Sequence, residues 1–183
     1  LRGIWAENTS EEKYKGVEVL KMDIKQVERD AEEKGINIPD SGVETPAAVI
    51  CRGKEAVILI DSKWWEKRHL EPVRVLFDHE LVHVDQVVRG DLEMDEHKVI
   101  WKAGSSEEYI WTLQDQIDFN KFMMSKEVQD MDHMERTRKM IEMELAKPWE
   151  LEAYGKTETD YDVLNQAAIS ILENYRSQNN ITI

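Results

Sequence analysis

Short apolar stretches in the first third of the chain predict β-strands. Residues 17–22 alternate loosely between apolar and polar side chains, as a half-buried strand does. The segment Asp23–Lys34 follows with a helix-capping residue at its start, and Gly35 predicts its end. Two further apolar runs, 47–51 and 56–60, flank a short turn that contains glycine. Together these two runs predict a β-hairpin.

The hydrophobic period changes after Glu71-Pro72, where apolar residues begin to recur every three to four positions. This period is typical of an amphipathic helix with one buried face. The dipeptide Arg89-Gly90 predicts the end of that helix. Its buried face is shared by Val75, Leu76, His79, Val82, His83, Gln86 and Val87.

The second half of the chain predicts one more hairpin and then helices only. Residues 98–102 and 109–113 are apolar-rich and flank a Gly-Ser turn. A long helix is predicted over 114–147, Pro148 suits the first position of the next helix, and a last helix runs over 160–176. Because strands and helices mix without a regular strand-helix-strand order, we expect an α+β fold.

Composition excludes several classes of protein. The chain carries 24 Lys and Arg against 38 Asp and Glu, a net charge of −14, which disfavours nucleic-acid and membrane-surface partners. No stretch approaches the roughly 18 apolar residues of a membrane helix, so we expect a cytoplasmic protein without a membrane partner. With 41% hydrophobic residues and no linker-like segment, residues 1–183 predict a single domain. The oligomeric state is left open.

The single cysteine, Cys51, excludes an internal disulfide and any metal site that needs two thiolates. It follows the apolar run 47–50. In such a run a cysteine is typically a small buried hydrophobe, and we favour that interpretation over a nucleophile.

The residues that indicate chemistry are His79, Glu80 and His83, which form a His-Glu-x-x-His pattern inside the amphipathic helix. Helical positions i and i+4 lie on one face, so both imidazoles can reach one metal ion, and Glu80 projects beside them toward a metal-bound water. Zinc held by two His and one carboxylate keeps a position open for water and lowers the pKa of that water to about 7. Two histidines with a purely structural role are the alternative.

With this pattern the chain resembles the zincin metallopeptidases, and more narrowly the gluzincin-like group, whose third zinc ligand is a Glu on a later helix. The stretch 148–154, Pro-Trp-Glu-Leu-Glu-Ala-Tyr, is similar to that helix. The resemblance implies that Glu150 is the third ligand and that Ala153, one turn later, lets the two helices approach closely. Glu152 is the rival ligand.

The same two segments are also similar to small zincin-like proteins of bacteriophage genomes, over roughly 56–155. That similarity implies the host cytoplasm or the virion as the location. Two departures from the peptidase pattern stand out: the segment between His83 and Glu150 is long for a compact member, and Tyr154 occupies a position where Asp often follows the Ala.

Other candidates have weaker signals. Gln86, Glu152 and Tyr154 can hydrogen-bond the metal ligands, and Tyr109 or Tyr154 can donate to a developing oxyanion. His97 and His133 can in principle replace Glu150, but their charged surroundings favour surface positions.

The acidic run 91–96 lacks the register of a calcium loop, and we expect a solvated loop there.

Three functions follow as hypotheses. The leading one is a zinc-dependent hydrolase of peptides or proteins in which His79, His83 and Glu150 hold the metal and Glu80 is the general base. We expect its substrate to lie extended along an edge strand formed by Val57, Ile58, Leu59 and Ile60. The alternatives are a structural or interaction protein stabilised by its metal, and an acidic binder of a cationic surface.

Overall fold

The computed structural model describes residues 18–36, 39–42, 44–53, 55–67 and 70–183. Within these residues the chain forms two three-stranded sheets and eight α-helices. Helices and sheets are mixed in an α+β arrangement, which confirms the predicted fold class.

The first sheet has the strand order β1-β3-β2. Strand β3 pairs in parallel with β1 and antiparallel with β2, so the predicted β2–β3 hairpin is confirmed. The helix α1 is also confirmed, since the Asp23 side chain accepts a hydrogen bond from the backbone of Lys25 at its start. The elements are β1 (Glu18–Met22), α1 (Ile24–Glu33), β2 (Ala47–Arg52) and β3 (Glu55–Asp61).

The predicted substrate edge strand is wrong, because β3 is the central strand of this sheet. Val57, Ile58, Leu59 and Ile60 each pair with β1 on one side and β2 on the other. All four side chains are buried, as expected for a continuous apolar run in a strand that is covered on both faces. Among the residues that the structure describes, β1 and β2 are the outer strands of this sheet.

Two helices follow β3 directly. The short helix α2 (Ser62–Lys67), which sequence patterning did not predict, begins where the Asp61 side chain accepts a hydrogen bond from the Trp64 backbone. The long helix α3 (Leu70–Val88) is the predicted amphipathic helix, and it packs against β2 and β3. Phe77 of α3 lies in the same core cluster as Trp65 of α2.

The second sheet is antiparallel and contains the predicted hairpin with one additional strand, β4, in the order β4-β5-β6. The expectation of a solvated loop at 91–96 is therefore wrong for 92–94, whereas Asp95 and Glu96 lie beyond the strand and are exposed. Leu92 is buried against Val87 and Trp149, while the neighbouring Glu93 faces solvent, so acidic and apolar side chains alternate across the strand. The strands are β4 (Leu92–Met94), β5 (Lys98–Trp101) and β6 (Tyr109–Thr112).

The helix predicted over 114–147 is wrong as a single element, because three helices occupy this segment. Ser125 caps the second helix by accepting a hydrogen bond from the Val128 backbone, and Asp132 forms a reciprocal capping box with Glu135 at the start of the third. The helices are α4 (Leu113–Met123), α5 (Lys126–Gln129) and α6 (His133–Glu144).

The last two helices pack against each other, and the first of them also packs against α3 while the second packs against α6. Helix α7 (Pro148–Lys156) begins at the predicted proline. Gly155 lies inside this helix, and only a glycine fits there because the ring of Tyr175 occupies the space where a side chain would be. Helix α8 (Gln166–Gln178) starts later than predicted, after a 3₁₀ turn over 161–163. None of the helices in the described ranges combines the length and apolarity that crossing a membrane requires.

Candidate metal centre

Two helices bring three metal-binding groups together. His79 and His83 lie one turn apart on α3, and Glu150 lies in the first turn of α7. The Nε2 atoms of the two imidazoles are 3.2 Å apart. Glu150 Oε2 is 3.2 Å from His79 Nε2, and Glu150 Oε1 is 3.2 Å from His83 Nε2. The three residues predicted as ligands therefore form one cluster.

These distances fit a tetrahedral metal ion. Zinc binds nitrogen and carboxylate oxygen at about 2.0–2.2 Å, and a tetrahedron of that size places neighbouring donors about 3.3 Å apart. The two Nε2 atoms are 3.2 Å apart, close to that spacing, and each lies 3.2 Å from a different oxygen of Glu150, so the carboxylate can reach the same ion as both imidazoles. Two imidazoles and one carboxylate are donors that zinc accepts, although iron and other divalent metals accept them as well. His79, His83 and Glu150 can hold one metal ion.

The charges of the ligands are strongly coupled in the metal-free protein. Burial alone would lower the pKa of His83, but the Glu150 carboxylate outweighs it and raises that pKa to about 10. Burial alone would raise the pKa of Glu150, but the imidazoles of His83 and His79 hold it well below the usual range. Both shifts favour a charged His83 beside a charged Glu150, and His83 Nε2 lies 3.2 Å from Glu150 Oε1.

Gln86 determines which nitrogen of His83 faces the metal. Its Nε2 donates to the backbone oxygen of Trp149 at 2.9 Å and to Glu152 Oε2 at 2.7 Å. Both partners only accept hydrogen bonds, so the amide nitrogen must lie on that side and Oε1 must face His83 Nδ1, at 2.9 Å. His83 Nδ1 therefore carries a hydrogen and donates it. This leaves Nε2 as the nitrogen for the metal.

Glu80 lies beside the ligands in a buried position and is 5% exposed. Burial raises the pKa of its carboxyl group, and the nearby imidazoles of His83 and His79 oppose that rise. A carboxylate with a raised pKa is a stronger base than an ordinary glutamate, as a general base at neutral pH requires. Glu80, the residue predicted as the general base, thus lies next to the metal ligands.

Of the two candidate tyrosines, only Tyr154 contacts a ligand. Its ring meets the His79 ring edge to face, with centroids 4.6 Å apart. Burial raises the pKa of the Tyr154 hydroxyl, and the negative charges of Glu150 and Glu144 raise it further. The hydroxyl therefore remains a hydrogen-bond donor. Tyr109 instead packs against Trp149, with ring centroids 5.8 Å apart.

Sequence patterning missed a buried ion pair next to the centre, formed by Glu144 and Lys147. Lys147 Nζ donates to Glu144 Oε1 at 2.8 Å and lies 4.4 Å from the centre of the Trp111 ring. Burial raises the pKa of Glu144, and the charge of Glu150 raises it further while Lys147 opposes both. In the sequence this pair is marked only by an acid and a base three positions apart, just before Pro148. Spacing cannot show that the pair is buried, because its burial depends on tertiary packing.

The remaining candidates lie away from the ligands. His97 and His133 are exposed, which confirms their predicted surface positions. Glu152 is not among the three converging ligands, because its carboxylate binds Gln86, Arg89 and Lys156 instead. Cys51 packs at the edge of the cluster around Trp101, and burial raises its pKa to about 11, as suits a small hydrophobe.

No protein-family model, curated protein or solved structure matches this chain. The resemblance to the zincin metallopeptidases therefore stays a prediction from the residues quoted for it.

Proposed function

We propose that the chain is a zinc-dependent hydrolase of peptides or proteins. The observation that carries this proposal is the convergence of His79, His83 and Glu150 at 3.2 Å, with the buried Glu80 beside them. Three protein donors around a tetrahedral ion leave a position open for water, which distinguishes a catalytic zinc site from a closed structural one.

Each side chain has a defined task in this proposal. Zinc, when bound by the three ligands, lowers the pKa of a water and polarises a carbonyl group. Glu80 takes the proton of the attacking water and passes it to the leaving amine. Tyr154, whose hydroxyl keeps its hydrogen, donates to the oxygen that becomes negative in the transition state.

The sheet topology limits where an extended substrate can bind. A peptide can add to a strand that has a free edge, and β3 has none. Strand β2 is an edge strand of the same sheet and packs against α3, the helix with the two histidines. We therefore place the peptide along the outer edge of Ala47–Arg52.

A metal that only stabilises the fold is the second candidate. The side chains of His79, His83 and Glu150 are 15%, 7% and 16% exposed, so the cluster is largely enclosed. The ligands also come from two helices, α3 and α7, that are far apart in the sequence. A bound metal would cross-link these helices without needing access for a substrate.

One experiment separates the two candidates. Metal content and cleavage of a mixed peptide library, read by mass spectrometry, are compared between the natural chain and Glu80→Gln. The matched control is Glu173→Gln, which changes an exposed acid on α8. The hydrolase proposal expects zinc in all three proteins and cleavage in all but Glu80→Gln. Zinc without cleavage that depends on Glu80 favours the structural candidate, and the absence of bound metal defeats both.

A further inference from the structure

Glu152 lies two residues after Glu150, but its carboxylate belongs to a different set of contacts. Its Oε2 atom accepts hydrogen bonds from Gln86 Nε2 at 2.7 Å and from Arg89 Nη2 at 2.6 Å. Its Oε1 atom accepts one from Lys156 Nζ at 2.9 Å. One carboxylate thus joins α7 to two residues of the α3 segment that follow His83.

The contact with Gln86 matters because Gln86 is fully buried, with 0% of its surface exposed. Its amide nitrogen has two hydrogens, one for the Trp149 backbone oxygen and one for Glu152. Without the Glu152 oxygen, one hydrogen of a buried amide would lack a partner, which is unfavourable because the buried amide cannot turn to water instead. The Trp149 oxygen alone would then hold the amide in the arrangement in which Oε1 accepts the hydrogen of His83 Nδ1, and that arrangement would be less firmly fixed.

Arg89 keeps Glu152 in place. Besides Glu152, its guanidinium donates to Asp85 Oδ2 at 2.8 Å and to Asp91 Oδ2 at 2.7 Å. These two acids lie on α3 and in the turn that follows it, so Arg89 is anchored where α3 ends. A continuous series of hydrogen bonds therefore runs from Arg89 through Glu152 and Gln86 to the ring of His83.

We propose that Glu152 is a positioning residue of the metal centre, which acts through Gln86. Its acceptor oxygen holds the Gln86 amide in one orientation, and that amide directs His83 Nε2 toward Glu150 and the metal. The proposal rests on the metal centre of the proposed function and not on peptide hydrolysis. Loss of a residue that hydrogen-bonds a metal ligand directly, as Gln86 does, typically lowers metal affinity roughly 10- to 100-fold, and Glu152 acts on that residue.

Two substitutions of the same residue separate positioning from a simple link between helices. Both Glu152→Leu and Glu152→Gln remove the negative charge that attracts Arg89 and Lys156. Only Glu152→Gln keeps an oxygen that can accept from Gln86. Zinc affinity is measured by competition with a chromogenic chelator, and the thermal midpoint of each metal-free protein reports the fold. The control is Glu173→Leu on the exposed face of α8.

The positioning role expects Glu152→Leu to bind zinc at least about tenfold more weakly, and Glu152→Gln to stay within a few-fold of the natural chain. Thermal midpoints of the two metal-free variants should be similar. Equal losses of zinc affinity in both variants would show that the lost charge alone explains the effect, and would overturn the proposal. Unchanged affinity in Glu152→Leu would overturn it as well.

A double substitution tests whether Glu152 acts through Gln86. Gln86→Leu alone should weaken zinc binding, and adding Glu152→Leu should weaken it little further, since the connecting residue is already gone. Additive losses would contradict the proposed route. In the zinc-loaded natural chain, nitrogen NMR should show the hydrogen of His83 on Nδ1, and a hydrogen on Nε2 would be a second contradiction. None of these measurements depends on hydrolysis, so a chain that cleaves no peptide can still pass them.

Discussion

His83 and Gln86 lie three residues apart on α3, and their side chains meet in a buried hydrogen bond of 2.9 Å between Nδ1 and Oε1. This contact also links two helices, because the amide nitrogen of Gln86 donates to the backbone oxygen of Trp149 on α7. The next residue on α7 is the ligand Glu150. The orientation of an imidazole on one helix and the position of a carboxylate on another are therefore set by the same amide.

The histidine pair should account for metal binding. We expect His79→Ala and His83→Ala each to lose the bound zinc, because only two protein ligands then remain. Zinc at about 100 times its dissociation constant stabilises a folded protein by about 2.7 kcal/mol, so zinc should raise the thermal midpoint of the natural chain and not of these variants. Metal analysis and thermal unfolding with and without zinc check this.

The matched controls for the histidine pair are His97→Ala and His133→Ala, which remove exposed imidazoles. Both should keep the zinc content and the zinc-dependent stabilisation. Equal zinc content in His83→Ala and the natural chain would contradict the assignment of the ligands.

Zinc affinity should increase with pH. The pKa of His83 is raised to about 10 by Glu150 in the metal-free protein, so at pH 7 its Nε2 carries a proton that the metal must displace. Affinity should therefore rise by about tenfold per pH unit between about pH 6 and 8, with about one proton released per zinc. Calorimetry in buffers of different ionisation enthalpy measures that release, and zinc binding without proton release would contradict the coupling.

The same pKa determines the sign of the effect on the metal-free fold. Because the folded-state pKa of His83 lies above its ordinary value of 6.5, its pairing with Glu150 stabilises the fold fully below about pH 6.5. That contribution is lost as the pH rises through about 10. Between about pH 6.5 and 10, the free energy of unfolding should therefore change less with pH in His83→Ala than in the natural chain.

Cys51 should react slowly with disulfide reagents in the folded protein. Burial raises its pKa from 9.0 to about 11, which lowers the thiolate fraction at pH 8 about a hundredfold. The higher nucleophilicity of a more basic thiolate recovers roughly tenfold, so the net rate should fall about tenfold. Reaction with a chromogenic aryl disulfide before and after denaturation checks this, and equal rates would contradict a buried thiol.

The sequence predicted those parts of the fold that depend on residues adjacent in the chain, such as turns and helix starts. The two hairpins have turns that contain glycine, and α7 begins at Pro148. Strand β4 was not predicted, because the run 91–96 contains four acids and only two apolar residues, Leu92 and Met94, which pack in the cluster of Val87 and Trp149. The pattern over 114–147 predicts one helix, since the caps at Ser125 and Asp132 are isolated polar residues within a helical pattern.

The candidate site divides in the same way. The spacing on one helix predicted His79, Glu80 and His83. The resemblance to the gluzincin-like group indicated Glu150, which lies in the first turn of another helix. Glu144 and Lys147 could not be assigned from spacing, because Trp111 and Phe119 bury this pair only after the second sheet and α4 have packed. The central position of β3 likewise depends on its parallel pairing with β1, which is distant in the sequence.

The identity of the third ligand is the part of the proposed site that a single substitution tests most directly, because two acids on α7 are candidates for it. Each residue of an α-helix advances about 100° around the axis, so residues 150 and 152 differ by about 200°, which is about 160° measured the shorter way. Glu150 faces His79 and His83 at 3.2 Å, and Ala153, which is fully buried, lies one turn further along α7. Glu152 faces Arg89 instead.

We therefore expect Glu150→Ala to weaken zinc binding by at least about tenfold more than Glu152→Ala, since the first removes a ligand and the second only a residue that acts through Gln86. Zinc competition titrations of both variants, with metal-free unfolding as the check on the fold, measure the ranking. The reverse ranking would transfer the third ligand to Glu152. Equal and negligible effects would leave the metal, if bound, on the two histidines alone, and the open catalytic position proposed for water would then lose its basis.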